Sequence, residues 1–300
     1  MRKSYSQILL KLTVTIITLI GASSPGIAED FDLSPYQKLI PLHEPKLPPG
    51  PYDWMSQHRE NDQSFYEYIK SNPIRSDEQR KYIYIVLLGN FDQAGQEIIR
   101  TTARFIEAYF NLQVQWLDPI SLGSIPDKAR RIHPQTLDNQ ILTTYVLEDI
   151  LKPILPDDAF SVIAFTSSDL WPGEGWNFVF GQASIQDRVG VWSIYRNGNP
   201  NGSHEENKLC LLRTVKTGTH ELGHMFSLPH CLYFECNMNG SNHRSESDRR
   251  PLWLCPVCLS KLMWNTGDKP GNRFQSLIKI SNELGIDITI LEQSLDILIQ

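Results

Sequence analysis

No basic field, internal repeat, heptad register or low-complexity tract marks this 300-residue sequence. Lysine and arginine number 28 against 34 aspartates and glutamates, a net charge of −6. That balance excludes the clustered positive surface that recruits nucleic acid. Missing repeats and heptads exclude solenoids and long coiled coils. Long apolar runs are scarce as well. The stretch Leu12 to Ala22 is broken by threonines and preceded by Lys11, and it is too short for a comfortable transmembrane helix. Cysteine is sparse, five in all, yet four of the five fall into two short pairs. What remains is ordinary globular composition, 41% hydrophobic and 21% charged, with length for one or two domains and a sizeable core.

The first residues read as an export signal. Arg2 and Lys3 form a positive leader, the apolar stretch follows, and Gly26-Ile27-Ala28 ends in small residues suited to cleavage. The expectation is a signal peptide over residues 1–28, a mature start near Glu29 and an exported, periplasmic or secreted protein with no stable membrane span. An uncleaved anchor and a cytoplasmic extension are the alternatives. No cysteine follows the apolar run, which argues against lipidation there.

The chemistry concentrates in His220-Glu221-Leu222-Gly223-His224, His230 and the cysteines beyond. On a helix of about 3.6 residues per turn, His220 and His224 share one face, one turn apart, and can grip a single ion. Zinc accepts neutral imidazole nitrogen, and a working zinc enzyme uses three protein ligands with a fourth position for water. His230 is the natural third ligand. It lies too far along to share the helical face, so the chain must leave the helix, and Pro229 suits that break. Glu221 points to a neighbouring face, where its carboxylate can act as general base and later as proton donor to the leaving amine. Leu211, Leu212, Val215, Thr219, Leu222 and Phe226 recur at mostly helical spacing, opposite the histidines. The bland alternative is a core helix with two satisfied histidines.

Cys231 and Cys236 enclose four residues; Cys255 and Cys258 enclose two. Paired short spacings of this kind mark a closed, structural four-cysteine zinc site. The polar segment between the pairs cannot build its own core, and a metal clip offsets that deficit. Two disulfides are the alternative that export keeps open, and redox chemistry at Cys255-x-x-Cys258 is a more distant one. Cys210, about 15 Å along the helix axis from His220, is no ligand and reads as a buried thiol.

Elsewhere, residues 29–80 are Pro-rich and aperiodic. Strands are expected at Tyr82–Leu88, Val114–Leu117, Ser161–Phe165, Phe178–Ala183 and Val189–Tyr195. Helices are expected on the stripe Ile98, Ile99, Thr102, Phe105, Ile106, Tyr109, on Leu137, Ile141, Leu142, Tyr145, and over Phe274–Leu284. This alternation gives an α/β (α+β) fold with a mostly parallel sheet and one antiparallel edge strand. Phe178–Ala183 is the candidate edge, where an extended peptide can add by main-chain hydrogen bonds; an ordinary sheet strand is the alternative. His43, His58, His133, His204 and His243 lack ligand spacing, and Arg249-Arg250 reads as a loop salt bridge or surface pair.

The string His220-Glu221-x-x-His224-x-x-Ser227-x-x-His230-Cys231, then Cys236-x-Met238, then Cys255-Pro-Val-Cys258, resembles the archaemetzincins, metzincin-type zinc peptidases. Pro49-Gly50-Pro51-Tyr52-Asp53, Phe180-Gly181-Gln182-Ala183 and Asp248-Arg249-Arg250-Pro251-Leu252 look like the family too. The resemblance spans roughly residues 35–285, a length suited to one domain. It implies a metzincin-like twisted sheet, catalytic zinc on His220, His224 and His230, Glu221 as base, and structural zinc on the four cysteines. Met238 would be the Met-turn methionine; otherwise it is an ordinary core Met. One domain over 29–300 is implied, with an N-terminal lobe (29–228) ending in the active-site helix and a zinc-clipped C-terminal lobe (229–300). Ser227 departs from the metzincin pattern, which has Gly there. If that turn needs positive φ, a non-Gly residue costs roughly 1–2 kcal/mol.

The function expected is a monomeric zinc peptidase with two zinc ions. It cuts peptide or protein substrates by Glu-assisted attack of a zinc-bound water. A catalytically weak, zinc-stabilised peptide-binding protein is the alternative.

Overall fold

The computed structural model describes residues 31–299, so the proposed signal segment lies outside the described residues. The described chain forms two compact units, both assembled from separated stretches. The first takes residues 31–73, 228–271 and 289–299; the second takes 74–227 and 272–288. One unit boundary falls at Ser227–Leu228, and both units are discontinuous in sequence. Residues 31–73 go with the cysteine segment, and residues 272–288 go with the sheet.

The second unit is built on a five-stranded sheet of order β2-β1-β5-β8-β7. The strands are β1 (Tyr82–Leu88), β2 (Gln113–Trp116), β5 (Ala159–Thr166), β7 (Gly181–Ser184) and β8 (Val189–Ser193). Pairs β1–β2, β1–β5 and β5–β8 are parallel, while β7 runs antiparallel to β8 at the end of the order. All eight residues of β5 are buried, as a central strand covered on both faces requires, hence its near-continuous apolar run. The mostly parallel sheet with one antiparallel edge strand is the arrangement the alternation predicts.

Gln93–Phe110 is the first long helix. Asp92 caps it by accepting from Gly95 N–H, and Asn111 ends it at φ 50°. Its stripe Ile98, Ile99, Thr102, Phe105, Ile106 and Tyr109 is fully buried, as predicted. It packs against the second long helix, His204–Met225, which carries the histidine pair. Phe226, just past that helix, stacks between Phe110 and Phe160, with ring centroids 4.9 and 4.1 Å away.

One helix was misplaced. The stripe Leu137, Ile141, Leu142, Tyr145 predicts a single helix, yet Asn139–Leu142 is strand β4. It pairs antiparallel with β3 (Arg130–Ile132) and parallel with β6 (Asp169–Trp171) in a small second sheet. Leu137 sits at φ 61° and is 74% exposed, in the turn after Pro134. Helix begins only at Thr143. A spacing of four between apolar residues fits a helix, but here it spans a turn and a strand.

The first unit has its own core: Leu39, Phe65, Tyr68, Phe234, Leu259, Leu262 and Met263 are all nearly or fully buried. The Pro-rich stretch is tied into it. Pro45 bridges Phe234, Lys46 N–H donates to the Tyr233 carbonyl, and Lys46 Nζ pairs with Glu235 at 3.1 Å. The C-terminal tail forms a helix, Thr289–Leu298. Among the described residues no helix is long and apolar enough to cross a membrane.

Candidate metal centres

The histidine helix starts and stops on clear signals. Ser203 and Glu206 form a reciprocal capping box, and Glu205 and Glu206 place negative charge at the positive end of the helix. Inside it, Val215, Thr219 and Leu222 are completely buried, as the stripe predicts. Near its C-terminus, a Cβ on Gly190 of β8 would meet Met225 Cε at 2.8 Å, so the glycine leaves room for the tip of that side chain.

His220 and His224 project from this end. Their Nε2 atoms lie 3.2 Å apart, with the rings nearly perpendicular at 83°. Two nitrogens bound to one tetrahedral zinc at about 2.0–2.1 Å stand roughly 3.4 Å apart. The pair therefore fits a shared zinc ion. Glu221 follows His220 by one residue, about 100° around the helix, and is half-buried.

Ser227 ends the turn at φ 61°, in the left-handed region that favours glycine, at the position where the metzincin pattern has Gly. The strain is real, and a hydrogen bond offsets it: Ser227 Oγ accepts from Ile74 N–H at 3.2 Å. Glycine has no such acceptor.

In the first unit the four predicted cysteines come together. Their sulfurs all lie within 4.8 Å of one another, and Cys231 and Cys255 Sγ are 3.6 Å apart. A tetrahedral site with Zn–S near 2.3 Å has S···S edges of roughly 3.8 Å, whereas a disulfide closes at about 2.05 Å. The geometry fits zinc, and all four are free, buried thiols. Hydrogen bonds from Cys236, then Cys255 and Cys258, hold the Cys231 thiol well below its usual range, while burial first of all pushes Cys255 well above. Four thiolates cannot share that space without a cation. Backbone amides brace the sulfurs: Met238 and Cys255 N–H both donate to Cys236 Sγ, at 3.4 and 3.3 Å. Cys255 is the N-cap residue of the helix Pro256–Thr266 and Cys258 lies in its first turn, so the helix dipole favours both thiolates.

Met238 is completely buried, and its carbonyl accepts from Cys231 N–H at 2.8 Å. Asn239, which carried no spacing signal, ties the loop: its side chain accepts from Cys236 N–H and donates to the carbonyls of Cys231 and Phe234. Cys210 is buried and in no disulfide, as expected of a buried thiol. Arg249 makes the expected surface ion pair, with Asp53 at 2.8 Å, but Arg250 is buried and donates to the Asn239 carbonyl.

His230 belongs to the first unit, next to Cys231. Its Nδ1 lies 2.8 and 3.0 Å from the two carboxylate oxygens of Glu60. Sequence reasoning missed Glu60, which sits in an aperiodic polar stretch 170 positions away.

Comparison with known proteins places the chain in a family. A model described as peptidase family M54 matches residues 144–264. Archaemetzincin-2 of Rattus norvegicus is 35% identical over 269 residues, covering 79% of this chain and 74% of that protein. The chain belongs to the archaemetzincins, peptidase family M54. Archaemetzincin-2 of Homo sapiens is likewise 35% identical, over 81% of this chain and 76% of its own. The crystal structure of an archaemetzincin from Methanopyrus kandleri matches with a TM-score of 0.50 at 29% identity, over 63% of this chain and 96% of that one. This archaemetzincin is thus a metallopeptidase of a zinc-dependent family with the expected α/β fold, and its histidine and cysteine clusters are each able to hold metal.

Proposed function

We propose that this archaemetzincin hydrolyses peptide bonds at a zinc held by His220, His224 and His230, with a second, structural zinc on Cys231, Cys236, Cys255 and Cys258. The observation that carries the reading is the pair of imidazole nitrogens converging at 3.2 Å from one helical turn, with a carboxylate on the adjacent residue. A zinc ion there supplies Lewis acidity, polarising a carbonyl and rendering a water acidic near neutral pH. Glu221 takes the proton from the attacking water and delivers it to the amine as the peptide bond breaks. The four cysteines form a closed set with no position for substrate, so their role is to hold the chain around His230. Met238 supports that turn from its buried position. Strand β7 has β8 as its partner in the sheet order and packs against the histidine helix. That arrangement favours an extended peptide lying along β7 by main-chain hydrogen bonds.

The test is Glu221→Gln, which keeps size and removes the base. Zinc content should stay at two per chain while turnover of a peptide library falls by at least about 100-fold, the range general-base catalysis supplies. Turnover at the parental rate with zinc retained refutes Glu221 as the base.

A further inference from the structure

We propose that Glu60 is the positioning residue for His230: it fixes the ring's tautomer and orientation so that Nε2 is the nitrogen offered to metal. The proposal rests on the reading of His230 as a ligand and adds what makes it one.

The chemistry is direct. An ionised carboxylate only accepts hydrogen bonds. Glu60 therefore selects the tautomer with the proton on Nδ1, which leaves the lone pair on Nε2. Both carboxylate oxygens lie within 3.0 Å of Nδ1, and the side chains are only 27% (Glu60) and 16% (His230) exposed, so water competes weakly. His220 and His224 are aimed by their own helix. His230 follows the helix end and has no such scaffold, so its direction must come from elsewhere.

The segment carrying Glu60 is itself held in place. Trp54 packs edge-on to the His230 ring at 5.1 Å and 77°, and His58 stacks on Trp54 at 3.8 Å. The Trp54 backbone N–H donates to the buried carboxylate of Glu246, which also accepts from the Asn242 backbone N–H. Asp53 accepts from Gly50 N–H and Arg249 and faces His243 Nε2 at 3.2 Å. Gly240 makes room for the indole, since a Cβ there would lie 2.4 Å from Trp54 Cδ1. Asp53, His243 and Glu246 are close enough together to hold an ion. Their oxygens are already engaged with backbone amides and Arg249, so the trio acts as a staple. It anchors residues 53–60 against the segment that bears His230.

The experiment uses the full chain and three variants, Glu60→Ala, Glu60→Gln and His230→Ala. Zinc affinity is measured by competition with a chelator of known strength, reading the two sites as separate steps. Histidine side-chain nitrogens are followed by 15N NMR in the metal-free protein. Glu60→Ala should weaken the histidine step by roughly 10–100-fold, as loss of an outer carboxylate typically does. It should leave the cysteine step within twofold and convert His230 from one tautomer to a mixture. Glu60→Gln retains an acceptor oxygen and should fall between Ala and the parent. Unchanged histidine-step affinity and an unchanged tautomer in Glu60→Ala overturn the proposal, as does equal weakening of both steps in Glu60→Ala and Glu60→Gln, the mark of a merely structural residue. His230→Ala separates the two readings. If it binds zinc at the histidine site as tightly as the parent, His230 is not a ligand and the underlying site reading fails; if it loses that zinc while Glu60→Ala does not, only the role of Glu60 fails.

Discussion

Ser227 offers a direct measure of how this chain departs from the metzincin pattern. Its φ of 61° puts an L-residue in the left-handed region, at a cost of about 1–2 kcal/mol. Its Oγ accepts from Ile74 N–H, a bond with a net contribution of about 0.5–1.5 kcal/mol. Ser227→Ala keeps the backbone strain and deletes the acceptor, so it should destabilise by about 1 kcal/mol. Ser227→Gly deletes the same acceptor but relieves the strain. Glycine's greater freedom in the unfolded chain takes back about 0.5–1 kcal/mol of that relief. The Gly variant should therefore fall near the parent and above Ala by about 0.5–1 kcal/mol. For a body of this size that difference shifts the melting temperature by roughly 1–4 °C. The assay is thermal melting of all three proteins at one fixed zinc concentration, because metal binding moves the midpoint by mass action. If Ala melts with or above Gly, residue 227 is not left-handed in solution, and the account of how the chain turns toward His230 is wrong.

Two further outcomes test the cysteine cluster and its neighbourhood. Denatured without reductant, the purified protein should titrate all five cysteines as thiols; a count of one would show two disulfides and refute the zinc site. The Asp53 carboxyl is held below the usual carboxylate range first by Gly50 N–H and then by Arg249 and His243. A depressed carboxylate contributes stability that is present above its unfolded pKa of about 3.9 and lost as pH falls through the lower folded value. Asp53→Asn should therefore melt below the parent at neutral pH, by less than about 1 kcal/mol in this screened setting, and converge on it below about pH 4. An offset that persists unchanged into acid would show that the Asp53 charge is not its source.

Much of the site was legible because its determinants are local. A turn of helix sets the His220–His224 spacing, and a short loop sets each cysteine pair, so sequence distance stands in for spatial distance. Strand β1 was legible for the same reason, and the buried run of β5 was recognisable though two residues longer at its start than expected. The misplaced helix at Leu137 shows where this stops. Periodicity cannot see that Leu137 lies at positive φ in a turn, nor that Asn139–Leu142 finds partners on two sides. Glu60 was illegible for a different reason. Its partner lies 170 positions away, in a stretch with no period, and no composition rule pairs a lone glutamate with a histidine at that range. Ser227 was intermediate: sequence flagged the position, and only the fold revealed the hydrogen bond to Ile74.

The discontinuity of the first unit has a consequence for synthesis. Residues 31–73 leave the ribosome long before their partners at 228–271, with the whole of 74–227 made in between. At about 5–20 residues per second, that interval is roughly 8–30 s. Throughout it the Pro-rich stretch has neither a cysteine cluster to pack on nor His230 for Glu60 to hold. The clasp on His230 therefore closes late, after the sheet and the histidine helix have been made. On the reading proposed above, a nascent chain would carry two aimed histidines and Glu221 but no third ligand in place. Its own assembly order would keep the cutting edge sheathed until the protein is nearly complete.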